Sequence, residues 1–175
     1  MAWATVASAT ITTDNTSANI TTRQLISSAG LSNLGYLYRV TFKAGAEGLK
    51  IGAAYIGQAS DSGDAYDFIN TPTQLLFSGA WNCEIAANGS IVSDQAALVL
   101  PAGKNLIISF YTSTDTTKDT TKYVATLTNW QYYYKSGNDA STVDATGYST
   151  GVAVNGISLI ESTTDIGGIQ VICSD

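Results

Sequence analysis

The chain has 175 residues, enough for one domain with its own core. Hydrophobic residues make up 45% and charged residues only 13%, so Thr, Ser, Asn and Gly must fill exposed positions, a composition suited to β-rich extracellular or virion-surface proteins. Eight Lys and Arg against 14 Asp and Glu give a net charge of −6 with scattered cations, which excludes a nucleic-acid surface, because displacing phosphate counterions needs clustered cations.

Period-two alternation dominates, and no amphipathic helix stands out. The opening MAWATVASATITTDN predicts a strand near 4–12 within an arm or edge strand over 1–19, suited to adding to a sheet. It lacks a basic n-region and is interrupted by polar residues, so no secretory signal is expected. A single β-sandwich domain is expected over 20–175. Its first strand falls near 20–27. At 36–43, Tyr36, Tyr38, Val40 and Phe42 share one face, with Arg39, Thr41 and Lys43 on the other. Another strand is expected near 49–57, then the connection QASDSGDAYDF (58–68) and a strand near 73–78. AWNCEIAA places Trp81, Cys83 and Ile85 inward and Asn82 and Glu84 outward. Asn88-Gly89 follows, the strongest hairpin dipeptide.

A strand near 91–99 leads to LPAGKN, with Pro101 and Gly103 at turn positions. NLIISFYT (105–112) is apolar on both faces and predicts a central strand. STDTTKDTT (113–121) reads as a mobile exposed loop. Strands are expected near 122–128, 130–135 and 152–160, with the long connection SGNDASTVDATGYSTG at 136–151. GGIQVICS near the C-terminus predicts a last, well-covered strand. No apolar run approaches the roughly 20 residues of a membrane helix, so no membrane insertion is expected. The fold class is therefore all-β, an antiparallel two-sheet β-sandwich of jelly-roll type.

Several segments carry a family pattern: TTRQLISSAG, LYRVTFKAGAEGLKIGAAYIG, LLFSGAWNCEIAANGSIVSD and LPAGKNLIISFYT. Together they resemble the amino-terminal β-sandwich accessory domain of some SGNH (GDSL-type) hydrolases. Arg39, Leu49 to Ala54, Phe77-Ser78-Gly79, Ser93-Asp94 and Asn105 to Tyr111 occupy the matching places over roughly 20–112, and Gln95 stands where that pattern has Pro. The catalytic half of the family has a Gly-Asp-Ser block, a Gly-x-Asn-Asp block and a His three residues after an Asp. This chain has Gly137-Asn138-Asp139 without the intervening residue, no Gly-Asp-Ser and no histidine. From about 123 onward, Tyr133-Tyr134-Lys135-Ser136-Gly137-Asn138-Asp139-Ala140 and Thr146-Gly147-Tyr148-Ser149 are similar to stand-alone versions of the domain in phage structural gene clusters. That resemblance implies a virion component such as a capsid spike, fibre or decoration subunit.

The absence of histidine removes the usual general base, the Ser-His-Asp and Cys-His pairs and the commonest metal ligand. No enzyme and no cofactor are expected. On a strand, Trp130, Tyr132 and Tyr134 share one face, and Tyr133 and Lys135 share the other. Packing within the sandwich is the favoured reading of the run, ahead of a subunit interface and of ligand stacking. Tyr133 with Lys135 is the expected exposed side. If the chain binds carbohydrate, Trp130, Tyr132 and Tyr133 are the candidate residues. Asp61, Asp64 and Asp67 around Gly63 are a Ca²⁺ candidate without EF-hand spacing, and a solvated turn is favoured for them. Ser93-Asp94 reads as a turn-fixing pair. Arg39 and Arg23 read as sheet-face ion pairs or interface contacts, and Cys83 and Cys173 as buried free thiols.

The leading functional expectation is a non-catalytic structural and adhesion module on a phage virion surface. It would form a homo-oligomer and contact other virion structural proteins. The alternative is a carbohydrate-binding module whose partners are cell-surface glycans. An esterase of unfamiliar type, using Ser and carboxylates, is the remaining reading.

Overall fold

The computed structural model describes residues 1–166, so the strand expected in GGIQVICS and the thiol of Cys173 lie outside the described residues. Among the described residues, fourteen strands form an antiparallel sheet curled into a half-barrel, with one short 3₁₀ turn (Ser28–Gly30). The strands are β1 (Ala4–Ser8), β2 (Thr13–Thr16), β3 (Ile20–Ile26), β4 (Leu37–Gln58), β5 (Thr73–Gln74), β6 (Cys83–Ile85) and β7 (Ser90–Val92). They continue with β8 (Ala96–Ala97), β9 (Leu106–Thr112), β10 (Asp119–Val124), β11 (Trp130–Ser136), β12 (Ser149–Thr150), β13 (Val154–Asn155) and β14 (Ile157–Thr163). The hydrogen-bonded path runs β1-β14-β4-β9-β3-β11-β12, with β10, β2 and β13 joined to it through β4. Antiparallel all-β architecture is therefore what the alternation anticipated, but the two layers are one continuous sheet.

The continuity comes from β4. Segments 36–43 and 49–57, expected as separate strands, are two arms of one 22-residue strand bent at the KAGAEG stretch. Gly48 sits at φ +89, and a side-chain carbon on Gly45 would stand 2.6 Å from Asp14 Oδ1, so only glycine lets β4 and its neighbours make this corner. A second chain turns the same corner alongside. β6 pairs with the later arm and β7 with the earlier one. Between them, Asn88 N donates to Gly45 O at 2.7 Å and Ala44 N to Gly89 O at 3.0 Å. Asn88-Gly89 thus makes a layer-crossing corner, not the expected hairpin, because each flanking strand finds its partner in β4.

The core lies inside the curl. Tyr38, Val40, Phe42, Leu49, Ile51, Ile56, Leu106, Ile108, Phe110, Val154, Ile157 and Ile160 are buried there. Phe42 packs edge-on against Phe77 at 5.7 Å and Phe110 at 5.4 Å, a favourable ring geometry. On the outer face of β9, Ile107 joins Ala59 and Phe68 in a second cluster under the long loops. Both faces of β9 are accordingly covered, as its sequence predicts. The first 19 residues belong to the same body: Val6, Ala7 and Ile11 enter the core, and β1 is an edge strand paired with β14. Trp3 stacks on Arg39 at 4.4 Å, and Arg39 pairs across the strands with Glu161 at 2.7 Å.

Other expectations shift. The segment 113–121, read as a mobile loop, already enters β10 at Asp119, where Asp119, Thr120 and Thr121 are buried. Trp81, expected inward, is 68% exposed, because pairing begins only at Cys83. The preceding residues form a two-residue turn instead, with Phe77 bridged to Ala80. Both its central residues, Ser78 (φ 52) and Gly79 (φ 81), are left-handed. Asp94 makes this possible by accepting from Ser78 N at 3.0 Å and Gly79 N at 2.7 Å. Ser93 Oγ accepts from Val40 N at 3.0 Å, which fixes the pair against β4. Phe77-Ser78-Gly79 and Ser93-Asp94 are therefore one physical unit.

Candidate functional site

The long connections 58–68 and 136–151 fold together over the outer face of β3 and β11. What holds them is Arg23, whose neighbours Thr21, Thr22 and Gln24 on β3 are also fully buried. Its Nη1 donates to Tyr66 O at 2.6 Å, and Nη2 donates to Asp139 O at 3.0 Å and to Thr142 O. The guanidinium lies over the Phe68 ring at 4.8 Å and the Tyr148 ring at 5.0 Å. Arg23 is thus a clamp on backbone carbonyls rather than the sheet-face ion pair or interface contact anticipated. A planar fork of donors suits that task, since one side chain can satisfy carbonyls from two loops.

The loops also bind each other. Asp67 is buried, accepting from Asp64 N at 3.1 Å and from Ala145 N at 2.9 Å, and Phe68 N donates to Val143 O at 3.0 Å. Asp139 accepts from Thr142 Oγ1 at 2.6 Å and pairs with Lys135 at 3.2 Å. Burial pushes the Asp139 carboxyl up, but the hydrogen bonds from Thr142 and Lys135 and the charges of Lys135 and Arg23 outweigh it, leaving it below the usual range. Burial also raises the Tyr148 phenol. Tyr66 meets Tyr133 edge-on at 5.3 Å and Tyr148 at 4.8 Å.

These contacts settle where the anticipated residues stand. Asp61 bonds Lys104 at 2.8 Å, Asp64 accepts from the Tyr66 hydroxyl at 2.8 Å, and Asp67 is spent on backbone amides. The three carboxylates do not converge, and among the described residues no group of three His, Cys, Asp or Glu is placed to hold a metal ion. Trp130, Tyr132 and Tyr133 do not share a surface either. Trp130 is a core residue only 8% exposed, Tyr132 is buried on the same face, and Tyr133 is on the opposite face beneath Tyr66. The expected exposed pair, Tyr133 with Lys135, is half-covered because the two loops close over it. The accessible ring of the run is Tyr134, 36% exposed and stacked on Tyr132 at 5.4 Å with 24° between the planes.

No protein-family model and no curated protein sequence matches this chain. Its chemistry must be read from the geometry. An aromatic concavity, a groove of about 310 Å³ on the open side of the curl, is lined by Asn15, Thr16, Ile20, Tyr132, Tyr134, Gly151 and Val152. Gly151 lies flat against Tyr132, where a side-chain carbon would drive into the ring. Behind the groove runs a buried polar chain. Asn15 Nδ2 donates to Ser17 Oγ at 3.2 Å and Asn155 Oδ1 at 3.4 Å, Asn155 N to Gln24 Oε1 at 3.1 Å, and Gln24 Nε2 to Ala153 O at 2.7 Å. Burial pushes the Tyr132 phenol up to about 12, so it is a neutral donor at physiological pH.

The alternation in WQYYYK shows which rings share a face, but not that a loop more than 60 residues earlier and the connection that follows β11 would together cover one of them. Arg23 carries a fainter signal. Four consecutive polar residues, Thr21 to Gln24, inside a strand that must be central imply a polar network around them.

Proposed function

We propose that the chain is a non-catalytic structural and adhesion module of a phage virion surface, as a capsid spike, fibre or decoration subunit, assembled as a homo-oligomer. The observation that carries this reading is the Arg23 clamp. The loop end of an all-β scaffold is where a reactive cleft would normally be built. Here it is filled by a guanidinium bonded to three backbone carbonyls and by packed tyrosines, an arrangement that holds shape. Trp81, Val99 and Tyr36 add exposed apolar surface that subunit contacts would cover. Sizing with mass measurement tests the oligomer, and antibody labelling of purified particles tests the location. A strict monomer that never co-purifies with particles removes the proposal.

A second reading, a carbohydrate-binding module, is favoured by the groove beside Tyr132 and Tyr134. Sandwich folds host such sites, although fold alone does not license the function. A glycan array of the purified chain separates the readings: no retained glycan leaves the structural role alone.

A further inference from the structure

The curled sheet is not closed by hydrogen bonds between β11 and β2, and the groove lies where that closure is missing. Its volume of about 310 Å³ is at the small end of ligand pockets, the size for one ring rather than an extended chain. The two sides differ in chemistry. Tyr134 offers an accessible ring face held in place by its stack on Tyr132, with Ile20 and Val152 beside it. Opposite stand the Asn15 amide and the Thr16 hydroxyl. Because Asn15 Nδ2 is committed inward to Ser17 and Asn155, its Oδ1 is left as an acceptor. Two buried polar atoms beside Tyr132, Thr22 Oγ1 and Asn155 Nδ2, have no well-aligned partner.

None of the groove's lining residues is charged, and the adjacent Asp14 is engaged by Lys122 at 2.7 Å. An anionic sugar or a nucleotide would find no cation there. A neutral pyranose matches both sides, having an apolar C–H face for a ring and hydroxyls at its edge. We propose that this groove binds one neutral pyranose residue of a glycan, its face on Tyr134 and a hydroxyl donating to Asn15 Oδ1. The proposal rests on the carbohydrate-binding reading and assigns it a site, shifted from Trp130 and Tyr133 to Tyr134, Asn15 and Thr16.

The test is saturation-transfer NMR on the full chain with methyl glycosides of glucose, galactose, mannose and N-acetylglucosamine. Transfer to ring C–H protons of at least one is expected. Tyr134→Ala should weaken it at least about tenfold, and Tyr134→Phe should stay within about twofold because the ring face remains. Thr16→Trp, a change at an exposed position on the groove's edge, should block binding by filling the space without touching the core. Val92→Ala, at an exposed position outside the groove's lining, should leave the transfer unchanged. If the wild type binds and both Tyr134→Ala and Thr16→Trp bind equally well, the groove assignment is overturned while carbohydrate binding stands. If no pyranoside receives transfer from the wild type and no glycan is retained on an array, both are overturned.

Discussion

Replacing Arg23 by alanine removes three donated hydrogen bonds and two ring contacts in one step. Hydrogen bonds to a charged group contribute roughly 1.5–3 kcal/mol each. Against this, the variant recovers the several kcal/mol that burying a guanidinium costs. It also strands the carbonyls of Tyr66, Asp139 and Thr142, at about 1–3 kcal/mol each where water does not enter, and loses about 1 kcal/mol of cation–π attraction. The net expectation is a loss of about 3–5 kcal/mol, near the upper end for a single substitution. At about 2–4 °C per kcal/mol for a domain of this size, the melting temperature should fall by about 10 °C. The loss should also be local. Amide exchange at Phe68 and Ala145, which donate to Val143 O and Asp67 Oδ1, should speed up ahead of exchange in β9. Arg23→Lys keeps the charge but not the fork, and should be intermediate. A calorimetric melt of Arg23→Ala within about 2 °C of wild type, with unchanged exchange in both loops, would refute the clamp.

Further outcomes follow from other contacts. Asp94→Ala should cost about 1–2 kcal/mol in urea unfolding, because Ser78 is held left-handed by that carboxylate, and Asp94→Asn should recover part of it. The Asp139 carboxyl is held below an aspartate's ordinary value of about 3.9, so its contribution is complete above that pH and is lost as pH falls through the lower folded value. Between pH 5 and 3 the wild type should therefore lose more melting temperature than Asp139→Asn, and equal losses would contradict the assignment. Burial pushes the half-buried Cys83 thiol up to about 12. Peptide-resolved alkylation at pH 8 should then modify Cys83 at least about 100-fold more slowly in the folded chain than in urea.

Legibility in the sequence followed the physics of each segment. β11 is readable because its two faces meet different surroundings, so alternation reports it directly, and β9 because a short run apolar on both faces marks a central strand. β4 was not readable as one strand. Lys43-Ala44-Gly45-Ala46-Glu47-Gly48 has the composition of a turn, and only the parallel course of the 86–89 corner and of β10 shows that it keeps its hydrogen bonds. β2, reading Thr-Asp-Asn-Thr, has no apolar face and is a strand because β10 pairs with it. The alternation divides the aromatic run into two faces, yet which face meets solvent depends on how the 58–68 and 136–151 connections fold back over it. Of the groove, Tyr132 is among the candidates the sequence offers, whereas Tyr134, its accessible ring, is not. Nor are Asn15, Thr16 and Gly151, since their meeting is set by the curl.

β4 has hydrogen-bonded partners in β5, β6, β7, β8, β9, β10 and β14. Neither half of the half-barrel can melt without stripping bonds from the other, so denaturation is one all-or-none event with no stable half-molecule along the way. Nearly every such pairing spans distant parts of the chain, which makes assembly slow, since the hub must wait for partners that come after it. A protease nick between Ala46 and Glu47 would therefore disable the entire scaffold, whereas a nick at the tip of a peripheral turn would leave it standing.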